Sequence, residues 1–127
     1  MQRPHVRVVL GDPEDQPGDL VILPAKHSGE RGTRTVLVEA PRWRPPSGPE
    51  RALAEVYRRA VAVASERGAH SVVLPPALVL GFWPMEDVTR VALTVVMSTP
   101  SPVREVTIAV PTPAMLELWA EALVREP

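Results

Sequence analysis

The 127-residue chain contains no cysteine, which excludes disulfides, thiolate metal sites and thiol nucleophiles together. Asparagine is also absent, glutamine occurs only at Gln2 and Gln16, and Lys26 is the one lysine. No apolar run approaches the ~20 residues of a membrane-crossing helix. The first residues, Met1-Gln2-Arg3-Pro4, carry no apolar stretch like that of a signal peptide, so no membrane partner and a cytoplasmic location are expected. Charge of one sign is equally scarce. The formal net charge is −1, and no block of like charges occurs; nothing draws the chain to nucleic acid. His5, His27 and His70 are far apart and lack H-x-x-x-H spacing, so neither a metal site nor a cofactor is expected.

What is present is a chain with 45% apolar residues and 16 prolines, too apolar to be disordered and long enough for one core. One domain over residues 1–127 is expected. Few thermolabile amides and proline-stiffened connections fit a thermophile; a GC-rich genome would give the same bias.

Periodicity predicts an α/β order. The β-branched run His5 to Leu10 ends at Gly11-Asp12-Pro13 and reads as a strand. Asp19–Leu23 is a second strand, stopped by Pro24, and its continuous apolar character suits the middle of a sheet. Lys26 to Gly32 reads as a polar loop and Thr35–Glu39 as a third strand. A helix spans Pro49–Arg67, with Ser47 or Gly48 as cap and Gly68 closing it. The strand Ser71–Leu74, the turn Pro75–Trp83 and a helix from Pro84 to about Met97 follow. The chain ends with a strand over Val103–Val110 and a helix from Pro113 to about Arg125, capped by Thr112, with Leu116, Trp119, Ala120 and Leu123 inward. Two strand–helix–strand crossovers require parallel pairs and right-handed connections.

In order along the chain stand Gly11-Asp12, Asp19-Leu20-Val21-Ile22-Leu23-Pro24-Ala25-Lys26, Val36-Leu37-Val38-Glu39-Ala40-Pro41, Glu55-Val56-Tyr57-Arg58-Arg59-Ala60, Ser71-Val72-Val73-Leu74-Pro75 and Gly81-Phe82-Trp83-Pro84. This series resembles the macro domain family, the ADP-ribose-binding module, continuously from about Thr33 to Val96 and more thinly outside. The resemblance implies a three-layer α/β/α fold with a mixed, largely parallel sheet. The helix that the family places after its second strand has no room here before Thr35. Its loss should leave one sheet face open, to water or to a second subunit.

The departures bear on activity. Where the family carries an Asn-rich motif, this chain has Leu23-Pro24-Ala25-Lys26; an amide can donate and accept, whereas lysine only donates. Where the family has a Ser-Thr-Gly phosphate turn, this chain has Leu78-Val79-Leu80. With both motifs replaced, ADP-ribosyl hydrolase activity is not expected. The resemblance implies a cleft lined by Asp12, Ala25, Lys26, Gly81 and Phe82 that binds ADP-ribose or another nucleotide; the alternative is a scaffold that pairs with a second copy through the open face.

Each of these residues has a plainer reading beside the binding one. Asp12 matches the family's adenine-contacting aspartate or is a turn residue before Pro13. Gly81 is a surviving phosphate contact or a turn glycine. Phe82 and Trp83 stack on a base or staple the following helix to the core, and Trp43, between Arg42 and Arg44, sits over an anion or packs on the first helix. Lys26-His27-Ser28 places a histidine beside a serine, but nucleophile–base pairs are made by the fold and not by adjacency, so a polar surface loop is the expectation.

Overall fold

A computed structural model describes residues 3–42 and 50–126. Trp43 and the proposed cap at Ser47, Gly48 and Pro49 lie outside the described residues. The elements are β1 (His5–Leu10), a 3-10 turn (Pro13–Asp15), β2 (Leu20–Ala25), β3 (Gly29–Arg31), β4 (Thr35–Glu39), α1 (Glu50–Glu66), β5 (Ser71–Leu74), α2 (Met85–Ser98), β6 (Glu105–Val110) and α3 (Pro113–Arg125). They form one six-stranded sheet in the order β1-β6-β5-β2-β4-β3. Every pairing is parallel except β3 with β4.

Side-chain alternation divides the sheet into two faces. Val6, Val106, Val72 and Leu20 stand level across four strands and share one buried cluster with Leu53 and Tyr57 of α1, Val88 and Leu93 of α2 and Trp119 of α3. All three helices therefore lie on this face. Val21, Val73 and Ala109 point the other way into a separate, smaller cluster. The β1–β2 connection crosses this second face, where its 3-10 turn touches β5 and β6. Arg34 holds the crossing in place, donating to the carbonyl oxygens of Gly18, Glu14 and Gln16 at 2.9 Å each. One outer layer is thus three helices, and the other is reduced to the crossing segment. No helix intervenes between β2 and β4, as the spacing before Thr35 implies.

Several boundaries differ from the sequence reading for identifiable reasons. The Lys26–Gly32 loop is not wholly irregular: Gly29–Arg31 forms a short antiparallel edge strand with Leu37, Val36 and Thr35. Its three residues are exposed and polar, so no apolar alternation announces it. Pro24 lies inside β2 and does not stop it. Val21 N donates to Arg34 O on the β4 side, so the next residues alternate and the Pro24 nitrogen faces β5. Pairing with β5 covers only Leu20 and Val21, and no ladder bond is lost to the proline. On α3, Ala120 is exposed; Met115, Leu118 and Ala122 pack with Leu116, Trp119 and Leu123 instead. β6 starts at Glu105 and not at Val103, because Val103 N is taken by Ser101 Oγ at 3.2 Å in a turn.

Other expectations hold closely. Gly68 follows α1 with φ 67°, the left-handed conformation that ends helices. Thr112 Oγ1 accepts from Met115 N at 3.2 Å and caps α3. Among the described residues no helix is long and apolar enough to cross a membrane.

Candidate functional site

In an open parallel sheet the connections at the carboxyl ends of the strands form the crevice where ligands bind. At that edge the β1–β2 crossing, the end of β2, the β5–α2 turn and the residues after β6 enclose an open concavity of about 510 Å³. Asp12, Glu14, Leu23, Pro75, Ala109 and Pro111 are among its walls. Prolines and small apolar side chains dominate, and the Asp12 and Glu14 carboxylates supply the ionisable groups. A concavity of about 630 Å³ lies between α2 and α3, away from the strand ends. Its arginines are already paired, Arg90 with Glu50 and Asp87, and Arg125 with Glu121.

Asp12 takes the turn conformation expected before Pro13. Its Oδ1 accepts from Glu14 N at 2.8 Å and caps the 3-10 turn, which also holds the carboxylate at the rim of the concavity. Glu14 is tied back by Arg31 at 2.5 Å and by Thr35 Oγ1 at 3.3 Å, leaving Asp12 the carboxylate without a side-chain partner there.

The other expected residues stand at the same edge but outside these walls. Ala25 ends β2 half-buried and Lys26 follows it exposed. Ser28 Oγ accepts from Glu39 N at 3.2 Å, so this serine braces a turn beside Lys26 and His27. The aromatic pair divides: Trp83 is in the core, whereas Phe82 is 80% exposed. The staple reading applies to Trp83 alone.

The β5–α2 turn departs most from a phosphate cradle. Leu78 is fully buried, and its N–H donates to Tyr57 Oη at 3.1 Å. Leu80 N donates to Pro41 O at 3.0 Å, and Leu80 forms an isolated parallel bridge with Arg42. Burial pushes the Tyr57 phenol well above its ordinary pKa, only partly offset by the bond from Leu78. Gly81 adopts φ 73°, and a Cβ there would come within 2.8 Å of Arg42 Nη1. The left-handed backbone requires glycine, and the absence of a Cβ lets the flexible Arg42 guanidinium lie close against it. Sequence reading quotes Tyr57 only as part of a helix pattern and Arg42 only as a neighbour of Trp43. Nothing in the spacing signals that both reach the turn, because the contacts span 21 and 39 positions. Among the described residues no group of His, Cys, Asp or Glu could hold a metal ion.

The sheet order and the crevice at its carboxyl edge define a macrodomain-type α/β fold. Comparison with solved structures agrees. The chain superposes on an Oceanobacillus iheyensis macrodomain mutant with ADPR at a TM-score of 0.76 and 14% identity, covering 94% of this chain and 91% of that one. A Trypanosoma brucei macrodomain in complex with ADP gives 0.75 and 14%, covering 94% and 69%. The macro domain of ganglioside induced differentiation associated protein 2 gives 0.77 and 14%, covering 94% and 82%. No family model matches the chain. In sequence it is 36% identical over 85 residues to the "Macro domain-containing protein in sno 5'region" of Streptomyces nogalater, covering 65% of this chain and 46% of that protein. The chain therefore spans about half the length of that relative. The chain thus has the macrodomain fold and is similar in sequence to a macro domain-containing protein.

Proposed function

We propose that residues 1–127 form one non-catalytic module that binds ADP-ribose or a related nucleotide in the carboxyl-edge crevice. The observation that carries this reading is Asp12, held at the rim of a concavity of about 510 Å³ by its own 3-10 turn. A fixed carboxylate beside apolar walls suits the amino edge and flat face of a base. Phe82 offers an exposed aromatic face at the same edge, and Lys26 and Gly81 the approach for phosphate and sugar. The absence of hydrolysis follows from chemistry: Lys26 cannot accept a hydrogen bond where the family has an amide, and the Leu78 N–H is bound to Tyr57.

Calorimetric titration of ADP-ribose, ATP and NAD tests this. For ADP-ribose the expected Kd is below about 100 µM, equivalent to at least ~5.5 kcal/mol. Asp12→Ala should weaken it, and no heat from any of the three ligands at high protein concentration would reject the reading. A second reading has one observation in its favour: Val9, Leu23 and Leu37 are half-buried on the face without helices. A second copy covering this face would give a homodimer, and a mass that stays monomeric at all concentrations in sedimentation counts against it. The scarcity of amides and cysteine supports a warm, cytoplasmic setting; a melting temperature in the mesophilic range would remove the first half of that inference.

A further inference from the structure

Two backbone N–H groups of the turn that follows β5 are already taken by the protein. A glycine-rich cradle works by aiming free backbone N–H groups at the ligand. Here Leu78 N is taken by Tyr57 Oη and Leu80 N by Pro41 O. The helix that follows brings Glu86 and Asp87 in its first turn, and those carboxylates oppose an anion at the helix start.

A cation stands where those donors are missing. Arg42 is exposed and, among the described residues, has neither an ion pair nor a hydrogen-bonded side-chain partner. It is nevertheless placed: the bond from Leu80 N to Pro41 O and the Arg42–Leu80 bridge fix its backbone, and its Nη1 occupies the space of a Gly81 Cβ. A second cation shares the edge. β2 and β4 are adjacent and parallel, Ala40 N donates to Ala25 O at 3.0 Å, and Lys26 follows directly. Neighbouring strand ends thus bring one guanidinium, on a backbone fixed against the turn, and one ammonium to the same edge of the sheet.

We propose that Arg42, lying against Gly81 and assisted by Lys26, is the anion-recognising residue at the carboxyl edge of the sheet, beside the concavity. Its ligand is a phosphate or diphosphate group, bound by side-chain charge where loop amides would otherwise serve. A guanidinium offers a planar fork to phosphate oxygens and forms charge-assisted bonds. Gly81, whose left-handed φ of 73° requires glycine, then also leaves room for the arginine to lie close. This inference rests on the nucleotide-binding reading only for the identity of the rest of the ligand.

The test is a titration of the full chain with inorganic pyrophosphate, read by amide shifts of Leu80, Gly81 and Phe82, in parallel with ADP-ribose and adenosine by calorimetry. Pyrophosphate should move those amides in the parent protein and not in Arg42→Gln. The same substitution should weaken ADP-ribose about tenfold or more while leaving adenosine within twofold, and Lys26→Gln should give a smaller loss. Gly81→Ala is expected to mimic Arg42→Gln; because it also strains the turn, the decision rests on Arg42→Gln, whose parent-like melting curve verifies the fold. Arg42-dependent pyrophosphate shifts without ADP-ribose binding would reject the ADP-ribose reading and keep the anion site. Shifts and affinities unchanged in Arg42→Gln, or no pyrophosphate shift in the parent protein, overturn the proposal.

Discussion

The two edges of the same parallel sheet are built on opposite principles. At the amino edge polar groups are mutually satisfied. The Asp19 carboxylate accepts from His70 N at 2.9 Å and Ser71 N at 3.3 Å, while Asp19 N donates to Ser71 Oγ at 2.8 Å. Arg104 N donates to His70 O at 2.7 Å, and His5 N to Arg104 O at 2.7 Å, so the starts of β1, β5 and β6 are laced together. At the carboxyl edge Lys26 and Arg42 stand without ion-pair partners among the described residues, and Phe82 projects into solvent. Strands whose polar groups are paired with each other at one end and left to solvent at the other divide labour: one end holds the fold, and the proposed binding site lies at the other.

Tyr57 is where this division is sharpest, because a core residue of α1 reaches the carboxyl edge and fixes its turn. Tyr57→Phe leaves the buried Leu78 N–H without an acceptor, which should cost about 1–3 kcal/mol in urea unfolding. The same residue sets an alkaline limit. Its folded pKa is raised above the ordinary 10.0, chiefly by burial, so the neutral phenol stabilises the fold fully below pH 10 and that contribution fades as pH rises beyond it. Tyr57→Phe should flatten the alkaline limb of the stability curve. Unfolding midpoints identical to the parent at neutral and alkaline pH would show that the turn is held by something other than this hydroxyl.

The amino edge predicts the opposite pH limb. Backbone N–H donation from His70, then from Ser71, holds the Asp19 carboxyl below its ordinary 3.8. A lowered carboxylate pKa stabilises the fold above pH 3.8, and the contribution disappears as pH falls through the folded value. Asp19→Asn should therefore lose stability at pH 7 yet decline less steeply below pH 4 than the parent. Parallel acid limbs in the two proteins would mean that the lacing does not depend on the charge of Asp19.

Legibility followed the same divide. Strands β1, β4 and β5 and the helices lie within a residue or two of the sequence reading, because apolar periodicity and capping residues such as Thr112 and Gly68 are local signals. The exposed strand Gly29–Arg31 carries no apolar period and passes as a loop. Pro24 reads as a stop because a proline shows which ladder it breaks only once the neighbouring strands are placed. The turn at Asp12 was legible from its position before Pro13, but the approach of Arg42 to Gly81 joins residues 39 apart. Motifs register what a site has lost, here the Asn-rich and Ser-Thr-Gly stretches. What took their place is written in long-range contacts.

Phe82 gives the smallest stability effect and the cleanest separation of the two edges. At 80% exposure its ring packs on little of the protein, so Phe82→Ala should change unfolding free energy by no more than about 0.5 kcal/mol. An exposed ring that does not support the fold is free to meet a ligand. If it meets a base or sugar face, the variant should weaken ADP-ribose by roughly 1–3 kcal/mol, the range found when base–aromatic stacking is removed, with no change in the pyrophosphate shifts assigned to Arg42. Loss of stability equal to the loss of binding would instead place Phe82 with Trp83 in support of α2. Stability and nucleotide affinity both unchanged would leave the ring without a part in either, and sedimentation of Phe82→Ala against the parent would test whether it meets a second copy.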